Sequence, residues 1–192
     1  MNRLEERILR DGVVKEGNVL KVGGFLNHVI DVDLMDWMGQ EFKRRFEGLQ
    51  VDKILTIESS GIAIATMAGH YFHVPVLYAK KNPRIVTMDD DKYVADAFSF
   101  THKVTNHVIV TKSYLQPGEK VLVIDDFLAN GAALTALSSI IEQAGAELVG
   151  VGIAVEKGMQ GAGDRFRANG MRIESLALID EMDAETNTIK FR

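Results

Sequence analysis

Short, almost continuous apolar runs alternate with segments of helical periodicity from about residue 51 onwards. Four runs predict strands, and they read VDKILTI, VPVLYA, KVLVIDD and LVGVGIAVE. Two segments between them, SSGIAIATMAGHYF and GAALTALSSIIEQAG, have the composition and length of helices. Strands that are apolar on both faces are typical of a parallel sheet covered by helices on both sides. The pattern therefore predicts an α/β fold with a doubly wound parallel sheet.

Two segments depart from this alternation. Residues 13–33 are glycine-rich and irregular but carry several large apolar side chains, so we expect them to pack over the sheet as a hood. Residues 80–120 contain no strand–helix unit. There a polar stretch, KKNPRIVTMDDDKYV, precedes AFSFTHKVTNHVIVTKSYL, whose alternation predicts an antiparallel hairpin. A long polar insertion between central strands is often a flexible lid over a binding site.

The length and composition indicate one globular domain. Its 192 residues are 46% hydrophobic and 26% charged. We divide the chain into N-terminal helices and hood (1–50) and a core sheet (51–180) with the lid at about 80–114.

Charge and patterning also limit the partners and the location. The net charge of −5 offers no overall basic field for nucleic acid or anionic lipid. The absence of cysteine fits a reducing compartment. The N-terminus lacks the apolar core of a signal peptide, and no window is apolar for the length of a membrane helix. We therefore expect a cytoplasmic protein that binds neither nucleic acid nor membranes.

One predicted strand ends in two adjacent carboxylates. Asp125 and Asp126 follow the run VLVI, at the edge of the sheet where ligands of open α/β proteins bind. The small-residue turn 129–133 then leads to a helix N-terminus, whose free N–H groups suit a phosphate. Carboxylates would repel a phosphate but can accept hydrogen bonds from the hydroxyls of a ribose. The pattern indicates a ribose 5-phosphate site; the alternative is one helix-capping and one solvated aspartate.

A second strand end repeats this arrangement. Glu58, Ser59, Ser60 and Gly61 lie between the strand VDKILTI and the next helix. Serine hydroxyls and free N–H groups there could bind another anion, although a plain serine cap gives the same pattern. Two anion sites with a sugar site between them indicate a ligand with phosphate at both ends.

These motifs resemble those of the type I phosphoribosyltransferases. The segment VLVIDDFLANGAA is similar to their phosphoribosyl pyrophosphate (PRPP) signature, ESSGI stands at their pyrophosphate loop, and the insertion at 80–114 stands at their flexible lid. Asn130-Gly131-Ala132 departs from their usual Thr-Gly and small residue, but the Asn130 amide can still reach a phosphate. Within the adenine-type subgroup the chain resembles the xanthine phosphoribosyltransferases of purine salvage, through IDDFLANG, TIESSGIA, LKVGGFLNHVID and VEKGMQ.

The resemblance implies a reaction and a set of site residues. The reaction is that of xanthine with PRPP to give xanthosine 5'-monophosphate and pyrophosphate. The implied residues are Asp125 and Asp126 for catalysis, Ala129, Asn130, Gly131, Ala132 and Ala133 for the 5-phosphate, Ser59, Ser60, Gly61 and Lys81 for pyrophosphate, and Leu20, Asn27 and Lys157 for the base.

The resemblance also implies a cofactor and an assembly. Mg²⁺ would be held mainly by the oxygens of PRPP and by water, with no protein ligand assigned. Lys81, rather than Lys80, would reach the pyrophosphate of the neighbouring subunit of a homodimer. Leu20 and Phe25 are candidates for stacking on the base. Lys157 has only donors, which suit a 6-carbonyl and leave the amino group of adenine unmatched.

Two alternatives remain open from the sequence. The first is a PRPP-binding transcriptional regulator on the same fold, which would need a nucleic-acid-binding element that residues 1–50 do not provide. The second is a phosphoribosyltransferase for another base, namely hypoxanthine and guanine, adenine or orotate, of which adenine is disfavoured by the donors of Lys157. No G-x-G-x-x-G or P-loop motif points to another nucleotide-binding family.

Overall fold

A computed structural model describes residues 1–82, 91–99 and 104–192. The helices are α1 Arg3–Asp11, α2 Val32–Arg45, α3 Gly61–Phe72, α4 Ala132–Gln143 and α5 Ala162–Ala168. The strands are β1 Val13–Lys15, β2 Val19–Lys21, β3 Lys53–Ile57, β4 Val76–Asn82, β5 Lys92–Ser99, β6 Val104–Thr111, β7 Lys120–Leu128, β8 Glu147–Lys157, β9 Ile173–Asp183 and β10 Thr188–Phe191. Single π-helical and 3-10 turns cover Gly23–Asn27, Lys112–Tyr114 and Gly158–Gln160.

The main sheet is parallel at its centre and antiparallel at both edges. Within the described ranges, eight strands run in the order β10-β9-β8-β7-β3-β4-β6-β5. The neighbours from β9 to β4 are parallel, whereas β10, β6 and β5 pair antiparallel to their neighbours. The predicted doubly wound parallel sheet is confirmed, with antiparallel strands added at its margins.

The predicted strands and helices of the centre are confirmed as β3, β4, β7, β8, α3 and α4. The predicted hairpin is β5 and β6, but it begins at Lys92 rather than at residue 97. Of the candidate lid, residues 83–90 and 100–103 lie outside the part of the chain that the structure describes. The hood is more regular than predicted, because β1 and β2 form an antiparallel hairpin in it.

The alternation of side chains along β7 explains its continuous apolar run. Leu122 and Ile124 belong to the core shared with the hood, α1, α2 and α3, whereas Val121 and Val123 belong to the core under α4. Both faces of the strand are buried, so every position from residue 121 to 124 is apolar. The hood contributes Phe25 and Leu26 to the first core, which confirms that it packs over the sheet.

A buried ion pair fastens α5 to the sheet. The Glu156 side chain, only 1% exposed, accepts two hydrogen bonds from the Arg167 guanidinium, at 2.8 and 2.6 Å. Ser175 on β9 donates a third hydrogen bond to the same carboxylate. The pair therefore joins β8, α5 and β9, directly beside Lys157. In the part of the chain described, no helix combines the length and apolar character needed to cross a membrane.

Candidate active site

A cavity of about 500 Å³ opens where β3 ends and β7 continues past it. The last pair between these strands is Leu55 with Val123, so beyond it β7 has no strand partner on the β3 side and pairs with β8 alone. The cavity is lined by Ile57, Glu58, Ser59, Ser60, Lys81, Asp125, Asp126, Phe127 and Ala133. Candidate residues from two separate sequence motifs thus lie on one cavity wall.

The two adjacent carboxylates differ in environment. Asp125 is 5% exposed, and Asp126 is half-buried and accepts the Phe127 N–H at 2.9 Å. Burial, and then the charge of Asp126, raises the pKa of the Asp125 carboxyl well above its usual range. Burial also raises the pKa of Asp126, while the Phe127 N–H and the Lys81 charge oppose that shift. A cationic or hydroxyl-bearing ligand would favour the ionised form of both.

Neither aspartate caps a helix. The N-cap of α4 is Gly131, with no side-chain hydrogen bond to the helix, so the alternative interpretation of a helix-capping aspartate is wrong. Ser60 precedes α3 but makes no cap hydrogen bond either, which contradicts the plain serine cap. Both serines instead line the cavity. The polar side chains at these two strand ends are therefore turned to the site rather than used by the helices.

The turn after Asp126 forms a second, smaller cavity. It holds about 140 Å³ and is lined by residues 128–134 together with Val123, Asp125, Phe127, Leu137 and Ile153. Gly131 has φ +91°, and a Cβ there would lie 2.8 Å from the Phe166 ring, so only glycine fits. Asn130 Oδ1 accepts the Ala132 N–H at 2.9 Å, which leaves its amide nitrogen to meet an anion. The two cavities share Asp125, Phe127 and Ala133.

Lys81 lies along the cavity of its own chain. Its backbone N–H donates to Glu58 Oε1 at 2.6 Å, and its charge opposes the raised pKa values of Asp125 and Asp126. The peptide bond between Glu58 and Ser59 is cis. The action of Lys81 on a neighbouring subunit remains a prediction.

Lys157 connects the sheet to the hood. Its Nζ donates to the Asn18 carbonyl in the β1–β2 turn at 2.8 Å and lies 5.7 Å from the centre of the Phe127 ring. Burial lowers the pKa of this lysine. It is therefore not an ordinary solvated lysine, as most lysines are. A carbonyl group near Phe127 would be within the reach of its remaining donors.

The hood residues predicted to contact a base lie in different settings. Leu20 is 7% exposed and packs into the core, while Asn27 is exposed at the end of the π-helical turn. Phe25 has no exposed surface, and the Arg7 guanidinium lies 5.1 Å from its ring centre. The stacking role predicted for Phe25 is wrong for this arrangement, because neither face of its ring is open to a base.

Two residues of the site were not predicted from the sequence. Phe127 lines both cavities and lies under Lys157, but inside IDDFLANG it reads as a packing residue. Thr56 is completely buried in β3, next to the cavity, where the sequence only shows a strand-forming residue. A polar residue among the apolar residues that follow Lys53 in this strand was the one signal that could have drawn attention to Thr56.

Gly61 allows Asp125 and Thr56 to approach the start of α3. A Cβ at residue 61 would lie 2.2 Å from Thr56 Oγ1 and 2.5 Å from Asp125 Oδ1. We expect Gly61→Ala to lower the free energy of unfolding by about 1–3 kcal/mol, because both oxygens must move in a packed region. Urea unfolding measures this change. Gly24→Ala is the matched control, since no atom lies within 4 Å of its added Cβ, and an equal effect of both variants would contradict the argument.

Sequence relatives share the whole length of the chain. Xanthine phosphoribosyltransferases from Lachnoclostridium phytofermentans and Bifidobacterium adolescentis are 49% and 52% identical over 192 and 193 residues. These alignments cover 100% of this chain and 98% and 100% of the two relatives. No protein-family model matches the chain.

Solved structures share the fold at low sequence identity. The adenine phosphoribosyltransferase of Thermoanaerobacter pseudethanolicus has a TM-score of 0.73 at 17% identity, and covers 91% of this chain and 98% of its own. The Giardia lamblia enzyme complexed with 9-deazaadenine has a TM-score of 0.75 at 16% identity, over 93% and 98% of the two chains.

The architecture and the paired carboxylates between two small-residue loops define a type I phosphoribosyltransferase fold, in agreement with these structures. The sequence relatives narrow the class further. The chain belongs to the xanthine phosphoribosyltransferase family.

Proposed function

We propose that this protein transfers the 5-phosphoribosyl group of PRPP to a ring nitrogen of xanthine, which yields xanthosine 5'-monophosphate and pyrophosphate. The observation that carries the proposal is the pair of joined cavities that share Asp125, with the Ser59–Ser60 loop on one side and residues 129–133 on the other. The relatives named xanthine phosphoribosyltransferase support the choice of base.

The arrangement fits each part of PRPP. The 5-phosphate would lie in the smaller cavity at the start of α4, where backbone N–H groups and the Asn130 amide are available. The pyrophosphate would lie along Ser59, Ser60 and Lys81 in the larger cavity. The ribose between them would place its hydroxyls against Asp125 and Asp126. These carboxylates would orient the sugar for inversion at C1.

The carboxylates also supply the electrostatics of the reaction. As the bond from C1 to pyrophosphate breaks, positive charge develops on the ribose ring, as in glycoside cleavage. Two ionised carboxylates held in place beside the ribose stabilise such a cation without a covalent intermediate. Pyrophosphate leaves with the electron pair of the broken bond to C1. The lone pair of a ring nitrogen of the base forms the new bond to C1, and the base gives up its imidazole N–H proton to water.

The base would lie beside Phe127, with one edge at the Lys157 amine. Lys157 spends one of its three donors on the Asn18 carbonyl, so two remain for a carbonyl oxygen at position 6 of the purine. An amino group there would leave a donor facing a donor, which costs about 1–3 kcal/mol. Asn27 and Leu20 would complete the base pocket from the hood.

We propose that Mg²⁺ binds mainly to oxygens of the substrate rather than to protein side chains. Among the described residues, no group of three or more histidine, aspartate or glutamate side chains is placed to hold a metal ion. The ion would be held by oxygens of the pyrophosphate on the Ser59–Ser60 loop and by water, and no residue is assigned as a direct ligand. When bound, it would neutralise part of the charge of the leaving group.

The remaining proposals concern assembly and location. We propose a homodimer in which Lys81 reaches the pyrophosphate of the neighbouring active site, with the segment around 80–114 as the lid. We propose the cytoplasm as its location, with no nucleic acid or membrane among its partners. A regulator or a hypoxanthine/guanine enzyme is not favoured, because the relatives carry the name of the xanthine enzyme.

A steady-state assay with PRPP, Mg²⁺ and each of five bases tests the proposed reaction. We expect kcat/KM for xanthine to exceed that for adenine by about 10–100-fold or more, because of the donor mismatch at Lys157. Guanine, hypoxanthine and orotate complete the series. Lys157→Met should reduce the preference over adenine. A preference for another base would keep the proposed reaction but change the assigned substrate. PRPP binding without turnover of any base would favour the transcriptional regulator.

A further inference from the structure

Two buried oxygens beside the cavity lack a hydrogen-bond partner among the described residues. They are Thr56 Oγ1 on β3 and Asp125 Oδ1 on β7. Thr56 is 0% exposed and Asp125 is 5% exposed, so bulk water does not replace the missing partners. An unpaired buried polar atom costs about 1–3 kcal/mol, and most such atoms in folded proteins are paired.

The two oxygens face the same small space. Each lies within 2.5 Å of one point, the position that a Cβ on Gly61 would occupy. One is a hydroxyl that can rotate and donate a hydrogen bond. The other is a carboxylate oxygen, which in the ionised state accepts hydrogen bonds and donates none. Each is thus the complement that the other lacks. Hydrogen bonds in ligand-free active sites are often long and shorten when the substrate binds.

We propose that Thr56 is a positioning residue, whose hydroxyl donates a hydrogen bond to Oδ1 of Asp125 and holds this carboxylate toward the cavity in its ionised form. The inference rests on the proposed transfer from PRPP, in which Asp125 acts on the ribose as a carboxylate. Thr56 itself lies behind the cavity wall and touches no part of the proposed ligand. Gly61 keeps the space between the two oxygens free of side-chain atoms.

Charged groups on three elements surround the Asp125 carboxylate. Asp126 follows on the same strand, Glu58 lies on the β3–α3 loop, and Lys81 lies on β4. Burial and then the charge of Asp126 raise the pKa of Asp125, and the Asp126 backbone N–H and the Lys81 charge only partly oppose them. A hydroxyl donor bonded to the charged form lowers that pKa. It thereby keeps the carboxylate available near neutral pH.

Thr56→Val tests the proposal, because valine has the shape of threonine without the hydroxyl. We expect kcat with PRPP and the preferred base to fall by about 10–100-fold, the value of a lost hydrogen bond to a charged group. The acidic limb of the pH profile of kcat/KM should move up by about 1 pH unit, since the pKa of Asp125 rises without the donor. Thermal unfolding of the variant is measured alongside, so that a loss of kcat caused by unfolding is recognised.

Two further variants control this experiment. Thr56→Ser keeps the hydroxyl and should restore most of kcat and the original pH profile. Thr66→Val on the exposed side of α3 removes a hydroxyl that donates to the Ile62 carbonyl at 2.7 Å and should change neither. If Thr56→Val does not fold, Thr56→Ala also removes the hydroxyl, with a smaller side chain, and is compared with the parent in the same assays. Unchanged kcat and an unchanged pH profile in the valine variant would overturn the proposal.

Carboxyl NMR titration separates this inference from the proposed reaction. In an Asp126→Asn background, the pKa of Asp125 should be higher in the Thr56→Val variant than in the protein that keeps the threonine. This readout does not depend on turnover of any base. A parent protein without turnover would contradict the proposed function alone, whereas an equal pKa in both proteins would contradict the role of Thr56.

Discussion

Replacement of Asp125 and Asp126 together by asparagine is expected to lower kcat by at least about 1,000-fold. Asparagine keeps the size of the side chain and an oxygen for the Phe127 N–H, but it removes both negative charges from the cavity. The developing cation on the ribose then loses the groups that stabilise it most directly. Steady-state kinetics with PRPP, Mg²⁺ and the preferred base give kcat, and calorimetric titration with PRPP reports whether substrate still binds.

The same variant should keep or gain stability at neutral pH. Burial raises the pKa of Asp125 in the folded protein above that of an unfolded chain. The folded state therefore holds this proton to higher pH, and stability falls as the pH rises from the ordinary carboxyl range through the raised pKa. Asparagine has no such loss, so the variant should melt at the same or a higher temperature at pH 7.

An exposed aspartate provides the control for this pair. Asp33 lies on the solvent side of α2, and Asp33→Asn should leave both kcat and the melting temperature near those of the parent. If the double variant retained more than about a tenth of the parental kcat, electrostatic stabilisation by the pair could not be the main source of catalysis. A loss of kcat accompanied by unfolding would mean that the pair is structural.

Arg167→Met is expected to lower the free energy of unfolding by about 3–5 kcal/mol. Methionine fills much of the space of the arginine stem but leaves the Glu156 carboxylate buried without its main partner. That carboxylate is 1% exposed and would keep only the Ser175 hydroxyl. Because Lys157 follows Glu156 on β8, the loss should also disturb the base side of the site. Urea unfolding at pH 7 measures the change in stability.

The exposed pair of Glu181 and Lys190 is the matched control. Their Oε2 and Nζ atoms are 2.5 Å apart, but both side chains are mostly in water, so Lys190→Met should hardly change stability. Replacing Glu156 and Arg167 together by methionine should be less harmful than Arg167→Met alone, because no charge then remains buried. Equal losses in the single and double variants would show that packing, not the buried charge, dominates.

The centre of the sheet could be predicted because each of its residues must be apolar, whichever face of the sheet it lies on. A strand covered on both faces must be apolar throughout, and β7 shows this from Val121 to Ile124. Prediction was weaker toward the edges of the sheet, where one face or one end of a strand is exposed to water. The strand β9 mixes buried and partly exposed residues and becomes polar at its end, and β10 has no fully buried residue. These strands, α5 and the β1–β2 hairpin were not predicted.

The sequence by itself determined the parallel sheet, the carboxylate pair at Asp125 and Asp126, and the two small-residue loops that follow β3 and β7. These features depend on adjacent residues, whose spacing along the chain sets their geometry. Only the tertiary structure placed Lys157 against the carbonyl of Asn18 and turned Thr56 toward Asp125 beside Gly61. Such contacts join residues far apart in the chain, because sheet register and packing depth decide which side chains share a space.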